Sequence, residues 1–170
     1  SVDSVSEGEF ILALDRTPFY AESGGQVGDT GRIYSEGFSC DVIDTKKQHG
    51  VHLHFCRHTD GKISVGDTVT AEIDSVRRNA IRCNHSSVHL LQAALRTIVG
   101  SHVTQSGSYV DESRARFDFS HYAALTSDEI AKVEALVNEW ILAGYDVTTK
   151  ITDMNTAKAS GALALFDEKY

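Results

Sequence analysis

Two imidazoles stand four residues apart in Cys83-Asn84-His85-Ser86-Ser87-Val88-His89-Leu90-Leu91, and they are the side chains whose type and spacing best suit chemistry. On a helix, positions i and i+4 are neighbours about 5–6 Å apart at Cβ, so His85 and His89 could hold one metal ion together. A zinc centre needs more than that: four ligands in a closed structural site, or three and a water in a catalytic one. His102, His121 and Asp118 are suitable types, but their spacing selects none of them. Cys83 sits two residues before His85 and would point away on a helix.

A second stretch, Thr17-Pro18-Phe19-Tyr20-Ala21-Glu22-Ser23-Gly24-Gly25-Gln26-Val27-Gly28-Asp29-Thr30-Gly31, is dense in glycine. Such density suits a tight turn with positive φ at Gly24 or Gly25, or close approach of backbone to another group. It has neither the G-x-x-x-x-G-K-[ST] spacing of a phosphate loop nor a dinucleotide fingerprint, which argues against nucleotide binding. Glu22 is a carboxylate without a second acid at the spacing of an acid–base pair. Arg77, Arg78 and Arg82 open the histidine segment, and Arg114 and Arg116 lie further on. These five are candidate phosphate contacts for RNA. They are equally compatible with a solvated face paired to carboxylates, since Arg78 and Arg82 are i,i+4 neighbours. Asp128, Glu129, Glu134 and Glu139 read as a solvated helix surface.

The elements that must position these groups change character near Ser75. Before it, Phe10-Ile11-Leu12-Ala13-Leu14, Cys40-Asp41-Val42-Ile43, Val51-His52-Leu53-His54-Phe55 and Thr68-Val69-Thr70-Ala71-Glu72-Ile73 read as short strands with glycine-bearing turns between them. A small antiparallel β-barrel over 1–75 is the economical reading. After it, Ile81, Val88, Leu91, Leu95 and Val99 recur on one face of a helix over 76–99, with Gly100 as its stop. A hairpin follows at 108–119, turning at Asp111-Glu112-Ser113 with Ala115, Phe117 and Phe119 inward. Thr126 and Glu129 form a capping box for a helix whose buried stripe is Ile130, Val133, Val137, Trp140 and Ile141, ended by Gly144. A strand at 147–151 and a short helix from about Asn155 to Ser160 complete an α+β domain over 76–170.

Composition narrows the classes. The chain has 170 residues, enough for one domain or two small ones, with 41% hydrophobic and 24% charged residues. A net charge of −8 excludes broad, sequence-independent nucleic-acid binding and leaves room for a local basic patch. Three cysteines without C-x-x-C spacing predict reduced thiols. No apolar run approaches the roughly 20 residues that cross a bilayer, and the start is polar and acidic, so a cytoplasmic protein without membrane contact is expected.

Taken together, five ordered segments resemble the editing domain of alanyl-tRNA synthetase. They are Arg16-Thr17-Pro18-Phe19-Tyr20-Ala21-Glu22-Ser23-Gly24-Gly25-Gln26, Asn84 to Leu91, Gly107-Ser108-Tyr109-Val110, Arg116-Phe117-Asp118-Phe119-Ser120-His121, and Ala162-Leu163-Ala164-Leu165-Phe166-Asp167-Glu168-Lys169-Tyr170. Free-standing AlaX trans-editing proteins and the editing domain of threonyl-tRNA synthetase share parts of the pattern, but Ala-Glu-Ser-Gly-Gly-Gln is closer to the alanyl enzyme. The resemblance implies a translation-protein-like β-barrel followed by the domain common to the threonyl and alanyl synthetases. The implied activity is hydrolysis of mischarged Ser-tRNA(Ala) and Gly-tRNA(Ala), with the tRNA(Ala) acceptor end as partner. It also implies zinc held by His85, His89 and a later cysteine and histidine of a Cys-Gly-Gly-Thr-His motif. No C-x-x-x-H occurs in these residues and Asp167 stands where glycine is expected, so the resemblance is to a segment ending before that motif, with zinc absent or weakly held. Gln26 is implied to recognise the seryl hydroxyl or the ester end, with Thr17 and Thr30 as further catalytic candidates. ATP and magnesium would belong to the parent's aminoacylation domain. The rival expectation is a tRNA-acceptor binding or structural module without activity, or a free-standing AlaX-type protein.

Overall fold

Alternating side chains in the first half place one face of each strand against a shared apolar core. The computed structural model describes residues 4–161, so the Ala162–Tyr170 segment lies outside the described residues. β1 (Ser4–Val5), β2 (Glu9–Leu12), β3 (Gly31–Ser35), β4 (Phe38–Gln48), β5 (Val51–Gly61), β6 (Ile63–Ser64) and β7 (Thr70–Ile73) precede helix α1 (Ser75–Ile98). Five of these strands form one antiparallel sheet in the order β2-β5-β4-β3-β7, and β1 pairs with β6. Ile33, Phe38, Cys40, Val42 and Cys56 are buried on one side of it, joined by Phe19 from the glycine-rich loop. Register shifts in the β4–β5 ladder, between Ser39 and Cys40 and between Val42 and Asp44, bend its two long strands.

The sheet does not close. β2 and β7 are its outer strands and do not pair with each other, so the expected barrel is an open sheet. Closure requires the first and last strands to exchange hydrogen bonds at a matching stagger. Period-two alternation reports only that one face is buried, a condition an open sheet meets equally well.

α1 starts where Asp74 caps it, its carboxylate accepting from the Arg77 N–H at 2.9 Å and its carbonyl from the Arg78 N–H at 2.9 Å. Ile81, Val88 and Leu95 are buried and Leu91 and Val99 half-buried, along the face that the spacing predicts. Arg96 in the last turn donates to the Val103 carbonyl at 2.9 Å. β8 (Thr104–Val110) and β9 (Ala115–Ser120) then form a hairpin. At its turn the Asp111 carboxylate accepts from the Ser113 hydroxyl and N–H, both at 2.7 Å, and from the Arg114 N–H at 2.8 Å. These donors, the Ser113 hydroxyl first, pull the Asp111 pKa down to about 2. Phe117 and Phe119 turn inward as expected, whereas Ala115 is exposed.

α2 (Ser127–Ala143) has the full capping box of Thr126 and Glu129 and ends on Gly144 at φ 61°. Val133, Leu136, Val137 and Trp140 pack with Ala94, Leu95 and Val103 into a second core. Ile130 and Ile141, expected in this stripe, are half-exposed. They flank the packed face, where the stripe is narrower than its apolar residues suggest. The expected strand at 147–151 is absent: the segment is irregular, with Val147 92% and Ile151 97% exposed, before α3 (Met154–Ala159). Strand propensity in Val147-Thr148-Thr149 needs a neighbouring ladder, and among the described residues none pairs with it.

The chain packs as two compact units, one with the residues up to Ser86 and Ser108–Arg116, the other with Ser87–Gly107 and the residues from Phe117 on. The division falls inside α1 and inside the β8–β9 hairpin. Among the described residues, no helix is long and apolar enough to cross a membrane.

Candidate functional site

The glycine-rich loop is irregular backbone fixed by specific bonds within the first unit. Ser23 and Gln26 pair in a tight turn, with N–H to carbonyl distances of 3.2 and 2.9 Å. The Gly25 carbonyl accepts from Val110 N–H at 2.8 Å, and Val27 N–H donates to the Val110 carbonyl at 3.1 Å. Gly25 has φ 81°, and a methyl group there would fall 2.6 Å from the Ser108 carbonyl oxygen, so only glycine allows this approach. At Gly28 the same group would meet the Thr45 carbonyl oxygen at 2.2 Å.

A buried carboxylate anchors the loop to α1. Asp29, 2% exposed, accepts from Tyr20 N–H at 2.6 Å and from Arg78 Nε at 2.7 Å, and its second oxygen takes an Arg78 terminal nitrogen. This two-point arrangement is the strong form of an arginine–carboxylate contact. Arg78 also donates to the Pro18 carbonyl at 3.3 Å. Arg77 donates to the Gly28 carbonyl at 2.8 Å and lies 3.1 Å from the Glu112 carboxylate. Both arginines, candidate RNA contacts by sequence, are thus committed to protein groups. Arg82 and Arg116 are exposed, and Arg114 lies over the Tyr109 ring at 5.8 Å.

Gln26 and His85, distant in sequence, meet. Gln26 is buried, and its side-chain oxygen is 2.7 Å from His85 Nδ1. An amide oxygen can only accept, so Nδ1 donates in this contact, and a neutral imidazole in that tautomer carries its lone pair at Nε2. That is the tautomer of a histidine whose outer nitrogen ligates a metal while the inner one is held by a carbonyl. Asn84, beside it, donates to the Asp111 carbonyl at 2.8 Å. His89 follows one turn later on α1 and is exposed. Two imidazoles are fewer than the three protein ligands of a catalytic zinc, and no group of three or more His, Cys, Asp or Glu able to hold a metal occurs among the described residues. The described residues therefore do not complete a zinc centre.

Thr17 and Thr30 go elsewhere. Thr17 Oγ1 is 2.7 Å from Nε2 of His54, a fully buried residue whose Nδ1 is 2.9 Å from the Leu12 carbonyl. The carbonyl obliges Nδ1 to donate, so the Thr17 hydroxyl donates to Nε2 and accepts from Phe19 N–H at 3.1 Å. Burial pushes the His54 pKa down; the Leu12 carbonyl opposes this and the charge of His52 reinforces it. Thr30 lines a cavity with Gly31, Arg32, Glu72 and Asp74, its carbonyl accepting from Asp74 N–H at 2.8 Å. Neither Asp29 nor His54 stands out by motif. The only signals for them are a lone aspartate among glycines and the His52-x-His54 alternation within a strand.

Comparison with known proteins gives a match first at the level of a class. The family described as tRNA synthetases class II (A) matches residues 1–77. Over its whole length the chain is similar to an alanine–tRNA ligase: it is 50% identical over 171 residues to that of Leptospira biflexa serovar Patoc, across 100% of this chain. The chain spans 19% of the length of that relative.

Proposed function

We propose that the chain is the editing segment of an alanine–tRNA ligase, which in its parent hydrolyses the ester of Ser-tRNA(Ala) and Gly-tRNA(Ala). The observation that carries this reading is the hydrogen bond between Gln26 and His85, because it joins the two stretches with chemical potential into one site. A pocket for alanine rejects a smaller residue, or one bearing an added hydroxyl, too weakly by binding alone, so a second hydrolytic site is needed. Gln26 gives its oxygen to His85, and its amide nitrogen remains to donate to a seryl hydroxyl or the ester end. Alanine has no hydroxyl to accept from that nitrogen. His85 and His89 contribute two ligands of a zinc site whose remainder comes from the parent, as do ATP and magnesium for alanylation.

The test compares this chain with a longer segment of the parent that includes the Cys-Gly-Gly-Thr-His motif. Deacylation of Ser-tRNA(Ala) is expected from the longer form, with loss of both zinc content and activity in His85→Ala. A longer form that holds zinc yet leaves Ser-tRNA(Ala) intact overturns the reading. The second reading, a tRNA-acceptor binding module without hydrolysis, is favoured by the lack of a three-ligand group among the described residues. The same assay decides between them.

A further inference from the structure

His102 and His121 are of metal-ligand type but take no part in the site around Gln26 and His85, and the second unit brings them together. The open end of the β8–β9 hairpin is clipped by Thr104 and Ser120, whose hydroxyl oxygens lie 2.6 Å apart. Just outside this clip, His102 Nε2 is 2.8 Å from His121 Nδ1. The turn after α1 sets the first ring. Val103 N–H donates to the Gly100 carbonyl at 3.1 Å, and Gly100 has φ 140°. A methyl group at Gly100 would fall 2.7 Å from His102 Nδ1, so glycine is what lets the ring lie back on the chain. Tyr122 flanks both imidazoles, its ring centre 5.3 Å from that of His102 and 4.3 Å from that of His121. His102 is exposed and His121 half-buried, which leaves the pair open to solvent.

We propose that this pair is a binding site for a borderline divalent ion of the zinc type, held by His102 Nε2 and His121 Nδ1. Imidazole suits zinc, nickel and copper, whereas magnesium and calcium take oxygen ligands. Two nitrogens on one tetrahedral zinc stand about 3.3 Å apart, so the rings need to spread by roughly 0.5 Å and tilt toward the ion. The protons balance. Each neutral imidazole carries one N–H; the proton now lying between the rings moves to the other nitrogen of its own ring, and none is released. Two protein ligands make neither a structural nor a catalytic zinc centre, so water fills the other positions and the ion exchanges readily. A net charge of −8 favours a cation here. The site shares no residue with His85 and His89, and it stands or falls apart from the editing reading.

The experiment titrates zinc into the full, untagged chain by calorimetry at about pH 8, where imidazole is neutral. Cys83→Ser, His85→Ala and His89→Ala are present together, silencing the exposed thiol and the α1 pair. This background should take up one zinc per chain and no magnesium. Adding His102→Gln or His121→Gln should weaken uptake about 10-fold or more. Gly100→Ala should weaken it with both imidazoles still present, because the His102 ring is displaced. Zinc should raise the thermal midpoint of the background and leave that of its His102→Gln form unmoved. In the background itself, nuclear magnetic resonance should show the ring signals of His102 and His121 shifting together as zinc is added, a readout that needs neither ligand replaced. No uptake by the background, uptake indifferent to both glutamine substitutions, or shifts confined to other histidines each overturn the proposal.

Discussion

Residues 17–31 and residues 145–153 are both irregular backbone between regular elements, and their composition argues for opposite outcomes from those observed. The first is glycine-rich and polar, yet it contains Phe19, Gln26 and Asp29 at 2%, 6% and 2% exposure and is tied down at Gly25, Gly28 and Asp29. The second has the β-branched Val147, Thr148, Thr149 and Ile151, and is exposed throughout. The difference lies in what each backbone can find to bond. Glycines let the first loop approach Ser108, Val110 and Thr45, and the buried Asp29 carboxylate, paired with the half-buried Arg78, holds it to α1. The second has strand-forming side chains without a ladder to join. Order in this chain follows partners more closely than propensity.

That contrast can be broken at its anchor. Arg78→Met leaves the Asp29 carboxylate buried and uncompensated, so a loss of about 3–5 kcal/mol in stability is expected by denaturant titration. A midpoint unchanged within error would show that the pair does not hold the loop. Gly25→Ala adds strain at positive φ and a collision with Ser108; we expect about 1–3 kcal/mol of destabilisation in the same titration. A neutral result would mean the turn has an alternative path.

A third test uses protons. His54 titrates below its ordinary value when folded, so its neutral form is preferred in the native state. Its contribution is complete above an unfolded pKa of about 6.5 and declines as pH falls through the folded value, because the unfolded chain then takes up the proton more readily. The slope attributable to this one group is at most about 1.4 kcal/mol per pH unit. His54→Gln should therefore be less stable at pH 8 and show a flatter profile below about 6.5; an unaltered slope would remove His54 as its source. The smallest effect belongs to the other region: Val147→Ser should stay within about 0.5 kcal/mol of the parent chain. A larger loss would show that the exposed stretch has a partner after all.

What the sequence makes legible is local. The α1 stripe, the Thr126–Glu129 box, the Gly144 stop and the turn at Asp111 each depend on residues within a few positions of one another. β3 escapes such reading because Gly31-Arg32-Ile33-Tyr34-Ser35 is short and bounded by turn formers, although Ile33 is fully buried. Sheet closure, the Asp29–Arg78 pair and the Thr17–His54 bond join positions tens of residues apart, and no spacing rule reaches them. Gln26 and His85 each stand out in their own stretch, but no periodicity foretells the bond between their side chains. For the arginines, charge alone does not distinguish a cation facing solvent from one already held by a buried carboxylate.

The three cysteines have a practical consequence. Cys40 and Cys56 are buried in the sheet core, and the neighbouring Cys40 sulfur together with burial pushes the Cys56 thiol up, keeping it protonated. Cys83 is exposed, two residues before His85 on α1. A thiol-reactive fluorophore should therefore attach once to the folded chain, at a fixed point beside the candidate site, without engineering. The two remaining sulfurs would become reactive only when the sheet opens, so the count of labels per chain is itself a clock for that opening.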